Sequence, residues 1–234
     1  MADFFASKDW LEAVDIVKTE VPLAIWETLY VTLISTLIAL MIGLPLGVLL
    51  AVGDKDGIIP LSAPLRHFLN ILINLLRSVP FLILIVVVAP LTRLIIGKAF
   101  GTAASIVPLV IAAFPFIARL VESSVREVNP NIIEMAQSTG ASPFQIITKV
   151  LIPESVPSLI SNITIALTTI LGYTAMSGAI GGGGLGKLAI NYGYYRYKYL
   201  VMIITVILLI LLVQLFQSIG TKLSVVSDKR LKKK

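Results

Sequence analysis

Long apolar runs separated by short polar stretches organise the whole chain. A helix needs about 20 mostly apolar residues to cross hydrocarbon, and five runs reach that length, at about 23–52, 68–91, 103–121, 156–180 and 199–219. Their apolar residues are continuous rather than alternating, which predicts spanning helices and not barrel strands. The expected fold is an all-α membrane protein with five transmembrane helices. Pro45, Pro80, Pro108 and Pro115 fall inside the first three runs and are expected to kink them. Residues 23–222 form a single transmembrane domain, preceded at 1–22 by a short acidic amphipathic lead-in and followed at 223–234 by a basic tail.

The polar stretch between the third and fourth runs predicts two short helices. Asn129 before Pro130 is a cap with proline at the first helical position. Ile132, Ile133, Met135 and Ala136 supply an apolar stripe, and Gly140, followed by Ala141, fits a left-handed stop. Ser142-Pro143-Phe144-Gln145 then makes a capping box with a second early proline. Phe144, Ile147 and residues 150–152 form the apolar side of this second helix, and Pro153 is expected to end it. Capped helices that expose Ile, Met and Phe suit entry into a partner's groove. The alternative is an amphipathic segment lying on the membrane or packing under its own bundle.

Composition narrows the chemistry. The chain is 57% hydrophobic and 14% charged, with a mean hydropathy of +0.95, too little polar surface for a soluble globule. The absence of cysteine excludes disulfides, iron–sulfur clusters and thiolate zinc sites. The single histidine, His67, excludes a site built on several histidines, so no metal is expected.

Charge sets an orientation. The lead-in carries Asp3, Asp9, Glu12, Asp15 and Glu20 against Lys8 and Lys18, the wrong sign for a signal peptide, and is expected to stay on the mature protein. Lys222, Lys229, Arg230, Lys232, Lys233 and Lys234 make the C-terminal end strongly basic. The excess of cationic residues on cytoplasmic segments therefore puts the C-terminus inside and the N-terminus outside. The tail reads as a topology anchor touching anionic lipid, and without stacking aromatics it predicts no nucleic-acid binding.

Residues 179–189, AIGGGGLGKLA, satisfy the nucleotide-binding pattern G-x-G-x-x-G at Gly181, Gly183 and Gly186, and satisfy G-x-x-x-x-G-K-[ST] except at its last position. Neither has its context: Leu188 stands where the Mg²⁺-binding hydroxyl belongs, and the glycines follow an apolar helix rather than a strand. Gly181, Gly182, Gly183 and Gly184 are instead expected to form a flexible turn on the outer side, near a gate or partner surface.

The run Glu134, Ala136, Gly140, Val150, Ile152 and Pro153 resembles the signature loop of ABC importer membrane subunits, E-A-A, three residues, G, nine residues, I-x-L-P. Met135 replaces the middle Ala, and Val150 and Ile152 replace the Ile and Leu. RSVPFLIL at 77–84, APLTRLIIG at 89–97, FPFIARLVE at 114–122, GYTAMSGAIGGGGLG at 172–186 and NYGYYRY at 191–197 narrow the resemblance to the methionine-type importer permeases, a five-span branch. This implies a type I ABC importer permease of the bacterial cytoplasmic (inner) membrane, working as a homodimer with two cytoplasmic ATPase subunits and an external lipoprotein that delivers methionine. ATP and Mg would bind only in the ATPase, so this chain is expected to be a transport subunit without catalytic residues or cofactor. Ile132, Ile133, Glu134, Met135, Ala136, Gly140, Ala141 and Pro153 would form the loop that couples to the ATPase.

For the pathway, Asn70, Asn74 and Arg77 share a helical face. They read either as a polar stripe facing the pathway or dimer seam, or as a network tying helices together. The fourth run is rich in small and polar residues, and its family counterpart lines the pathway. Tyr173, Thr174, Met176 and Ser177 are candidates, with a thioether and an aromatic edge suited to a methionine side chain. A permease for another amino acid or small organic solute remains open. A secondary transporter would be expected to show related halves and deep carboxylates, whereas Glu27 and Glu122 are expected near the ends of their runs.

Overall fold

The computed structural model describes residues 8–228, and every regular element among them is helical. Residues 1–7 of the expected lead-in and 229–234 of the expected tail lie outside the described residues. In chain order the elements are α1 (Lys8–Val52), α2 (Ala63–Ser78), α3 (Phe81–Ile96), α4 (Ile106–Arg126), α5 (Pro130–Ser138) and α6 (Pro143–Ile146). They continue with α7 (Ile152–Ser177), α8 (Gly184–Leu188) and α9 (Tyr199–Ser227). Four helices are long and apolar enough to cross a membrane, and the broken pair α2–α3 makes a fifth if counted as one span.

That broken pair corrects the second run, expected as one helix over 68–91. Pro80 has no N–H to continue α2, and its ring pushes the preceding Val79 away from helical angles. The Ser78 hydroxyl closes the last turn of α2 by donating to the Asn74 carbonyl at 2.7 Å. Pro80, at φ −59° and ψ 135°, then caps α3, its carbonyl accepting from the N–H groups of Ile83 and Leu84. Arg77 is therefore in the last turn of α2, beside the break, and not within a continuous helix. By contrast α1 continues through Pro45 and α4 through Pro115, as apolar membrane helices tolerate. The described part of the acidic lead-in belongs to α1.

The chain divides into two compact units. The first comprises residues 8–37, 79–111 and 167–215. Its apolar contacts join Val21 and Ala24 of α1 to Leu185 and Leu188 of α8, and Ala13 and Ile16 to Val201 of α9. Its polar contacts are hydroxyls: Thr28 and Thr32 are buried in α1, and the Thr32 hydroxyl donates to that of Thr174 at 3.1 Å. Small hydroxyl residues let membrane helices approach closely while satisfying one another.

The second unit comprises residues 38–78, 112–166 and 216–228. Leu50, Ile73 and Ala118 are its buried cluster, with Leu46 and Leu69 against them. Gly47 allows the close crossing of α1 and α4, since a Cβ there would be 2.4 Å from the Ala118 carbonyl oxygen. The Asn162 amide of α7 donates to the Ser124 hydroxyl of α4 at 2.8 Å.

Candidate functional site

The loop between α4 and α7 follows the expected caps. Asn129 Oδ1 accepts from the Asn131 N–H at 3.0 Å, with Pro130 opening α5. Gly140 has φ +78°, open to glycine without penalty, and its N–H donates to the Gln137 carbonyl at 2.9 Å. The N–H of Ala141 reaches back to the Ala136 carbonyl at 3.1 Å. The capping box at α6 is reciprocal: Gln145 N–H donates to Ser142 Oγ at 3.3 Å, and Ser142 N–H to Gln145 Oε1 at 2.9 Å. Ala136 and Ile146 are buried, whereas Met135 (63% exposed) and Phe144 (74% exposed) face outward. Ile132 and Ile133 are half-buried and Glu134 is exposed. Behind α5 lies a cleft of about 480 Å³, whose walls include Asp54, Asp56, Arg126, Ile133, Glu134 and Leu151.

Pro153 does not end the second helix. α6 passes through a π turn, Ile147–Leu151, directly into α7, and Pro153 is the second residue of α7. The wider turn, with the Ile152 N–H bonded to the Ile147 carbonyl, accommodates an imino acid at a point where a regular α-helix would be crowded.

Beside this loop the second unit carries a charge network that sequence reasoning missed. Arg119 donates to Glu122 at 2.6 Å, to Asn70 Oδ1 at 2.7 Å and to Asn74 Oδ1 at 3.1 Å. Arg126 pairs with Glu122 at 3.0 Å and Asp54 at 3.1 Å, and Arg66 pairs with Asp54 at 3.2 Å. The Lys55 N–H and the Arg126 guanidinium hold the Asp54 carboxyl below the ordinary carboxylate value. The signal available was the spacing of Arg119, Glu122 and Arg126, three and four residues apart on one face of α4. Asn70 and Asn74 thus serve a helix-tying network. Arg77 is exposed, with no hydrogen bond or ion pair to its side chain among the described residues.

In the first unit the fourth-run candidates divide. Thr174 and Ser177 are sealed, 3% and 2% exposed, and donate to carbonyls of their own helix. Tyr173 stacks on Phe81 with ring centres 4.7 Å apart, and Met176 is about half exposed.

The glycine run is not the loose turn expected. Gly183 and Gly184 are buried, and a Cβ on Gly183 would lie 2.1 Å from Thr102 Oγ1 and 2.6 Å from Glu27 Oε2. Glu27 Oε2 accepts the Gly184 N–H at 2.7 Å, Glu27 Oε1 accepts the Thr102 hydroxyl at 3.0 Å, and Thr28 Oγ1 accepts the Leu185 N–H at 2.9 Å. Because α1 begins at Lys8, Glu27 is well inside its helix rather than near an end, and it is only partly exposed. Further along the same face, the Tyr192 hydroxyl donates to Glu20, and Lys198 pairs with Glu12 at 2.9 Å. The bond to Glu20 pushes the Tyr192 phenol above its ordinary value.

Residues 43–222 match the family described as binding-protein-dependent transport system inner membrane component. A probable D-methionine transport system permease protein of Vibrio cholerae is 49% identical over 200 residues, covering 86% of this chain and 88% of the relative. The methionine import system permease protein of Bacillus subtilis is 46% identical over 212 residues, covering 91% and 95%. Among solved structures, a chain of the inward-facing MetNI methionine ABC transporter superposes with a TM-score of 0.86 at 43% identity, covering 88% of this chain and 95% of that one. A chain of an amino acid ABC transporter shares the fold with a TM-score of 0.71 at 18% identity. The resemblance drawn from residues 134–153 therefore holds over most of the chain, and the protein belongs to the family of binding-protein-dependent transport system inner membrane components.

Proposed function

We propose that this chain is the membrane-spanning subunit of a methionine importer, for the L form and also the D form. It works as a homodimer with two cytoplasmic ATPase subunits, which bind ATP and Mg, and an external substrate-binding lipoprotein. The C-terminus is cytoplasmic and the N-terminus external. The observation that carries the reading is the loop: two capped helices, joined at a left-handed Gly140, present Met135 and Phe144 to solvent beside an exposed Glu134. An apolar pair of this size on a capped helical turn suits a groove in a partner. The names of the curated relatives support methionine as substrate.

The largely uncovered apolar surface of α9 suits lipid and a second copy of the chain. Tyr173 and Met176 are pathway residues of the first unit, while Thr174 and Ser177 hold α7 in this conformation. Arg77, an unpaired cation close to apolar chain, is a pathway position of the second unit.

Co-purification with the candidate ATPase in nanodiscs tests the reading. Wild type is expected to form a two-plus-two complex and to import labelled methionine in proteoliposomes. Glu134→Lys reverses the charge beside the docking face, and Gly140→Pro cannot adopt φ +78° and loses the bond to Gln137. Each is expected to cut uptake at least about tenfold, the factor that corresponds to about 1.4 kcal/mol of coupling. Wild-type levels of complex and uptake in both variants would remove the loop from the coupling role. Uptake competed by another amino acid but not by methionine would redirect the substrate.

A further inference from the structure

Glu27 joins three separate parts of the first unit: α1, the segment before α4 that carries Thr102, and the glycine turn. The helix it caps, α8, has no capping side chain of its own, because its N-cap residue is Gly183. The consecutive side chains of Glu27 and Thr28 take over that duty, satisfying the N–H groups of Gly184 and Leu185. A carboxylate accepting a backbone N–H is stronger than a neutral pair, yet each partner regains a bond from water when released. Apolar contact between α8 and α1, through Leu185 and Leu188 on Val21 and Ala24, is adjacent in both helices, so the two sets of contacts form or part together. The held segment is itself irregular, passing through a 3₁₀ turn, the short α8 and a π turn before α9. It connects two of the longest helices in the chain.

We infer that Glu27, with Thr28 and Thr102, is a clasp that holds the glycine turn in the conformation described and releases it once per transport cycle. Glu27 is then a positioning residue for transport, acting through the turn and not on the substrate. This rests on the importer reading above. The tightness of Gly183 against Thr102 and Glu27 explains why the turn needs a residue without a side chain there: the clasp closes only if the backbone reaches the carboxylate directly.

The test uses the complete complex with ATPase and external binding protein in proteoliposomes, comparing wild type, Glu27→Ala, Glu27→Gln and Thr102→Val. Methionine molecules imported per ATP hydrolysed, and the ATPase rate without binding protein, are measured together. Loss of one charge-assisted hydrogen bond changes an equilibrium by about tenfold. Glu27→Ala is therefore expected to lower the transport-to-hydrolysis ratio by about that factor and to raise the unstimulated ATPase rate. Glu27→Gln, whose amide oxygen still accepts the Gly184 N–H, is expected to restore most of the ratio. Thr102→Val, which leaves that bond in place, is expected to fall between them and keeps the question open to measurement if Glu27→Ala does not assemble.

Hydrogen exchange of a peptide covering residues 181–188 is the second readout, taken with the complex nucleotide-free and ATP-trapped. Wild type is expected to exchange slowly in the first form and about tenfold faster in the second, and Glu27→Ala fast in both. An unchanged ratio in an intact Glu27→Ala complex, or equally slow wild-type exchange in both forms, overturns the clasp. Failure of wild type to import at all would instead overturn the importer reading.

Discussion

Gly186→Val is expected to leave little or no folded protein. A Cβ at this position would lie 2.1 Å from the carbonyl oxygen of Ala175 and 2.6 Å from its Cα. Those atoms are backbone, so no rotamer change relieves the collision, and α8 must leave its seat on α7. Overpacking that side chains absorb costs about 1–3 kcal/mol, and a clash with backbone exceeds that range. Gly178 meets the same crossing from the other side, where a Cβ would be 2.3 Å from the Lys187 nitrogen. The control is Gly172→Ala in α7, where a Cβ meets nothing within 4 Å. Replacing glycine by alanine inside a helix there is expected to gain about 0.5–1 kcal/mol. Thermal unfolding midpoints of the purified chain in detergent separate the two, and a Gly186→Val protein that melts with wild type would refute the close-packing account.

The second large effect concerns the charge network of the second unit. Arg119→Met is expected to cost about 1–3 kcal/mol, the range for losing charge-assisted hydrogen bonds at a partly buried pair. The Glu122 side chain is 12% exposed and the Arg119 side chain 21%, so neither is freely rehydrated. The variant also removes the donor to the amide oxygen of the half-buried Asn70, while that of the exposed Asn74 returns to solvent. Arg126 remains on Glu122 and moderates the loss. Arg119→Met combined with Glu122→Gln is expected to be less damaging than the sum of the single variants, because each single variant already removes the same Arg119–Glu122 interaction. Strict additivity in a double-mutant cycle on unfolding free energy would show that the pair is not coupled.

Much of the loop was legible because its signals are local. Asn129-Pro130, Gly140 and Ser142 through Gln145 each specify a cap within four residues of sequence, and tertiary context had nothing to overrule. The long apolar runs were legible for the same reason, since span length depends on composition alone. Pro80 was recognised as a disturbance, but a kink and a complete break have the same sequence sign; the outcome depends on whether neighbouring structure reseals the freed backbone groups. Pro153 misled in the opposite direction, because a π turn upstream was not visible in residue identities.

The site residues that were missed are those whose partners are far away in sequence. Glu27 meets the glycine turn across 157 residues, and Arg119 meets Asn70 across 49. No pattern within α1 announces that a carboxylate there will cap a helix near residue 184. The glycine run was read as a flexible turn because its partner is out of sight in the sequence, and a tight seat was therefore mistaken for a loose one.

The π turn at Ile147–Leu151 has a consequence for rotational phase. A regular helix advances about 100° per residue, and a turn that takes in one extra residue offsets everything before it from everything after it by that angle. The face of α6 that carries Phe144 is consequently aimed in a direction that the register of α7 alone would not give. Because no break separates α6 from α7, the two behave as one shaft with a built-in twist, whereas α5 joins that shaft through the turn at Gly140 and through its packing on the π turn. The Phe144 side of the loop is then geared to the long helix directly, so a rotation imposed there turns α7 with it, whereas a push at Met135 reaches α7 only through the packing of α5 on the π turn.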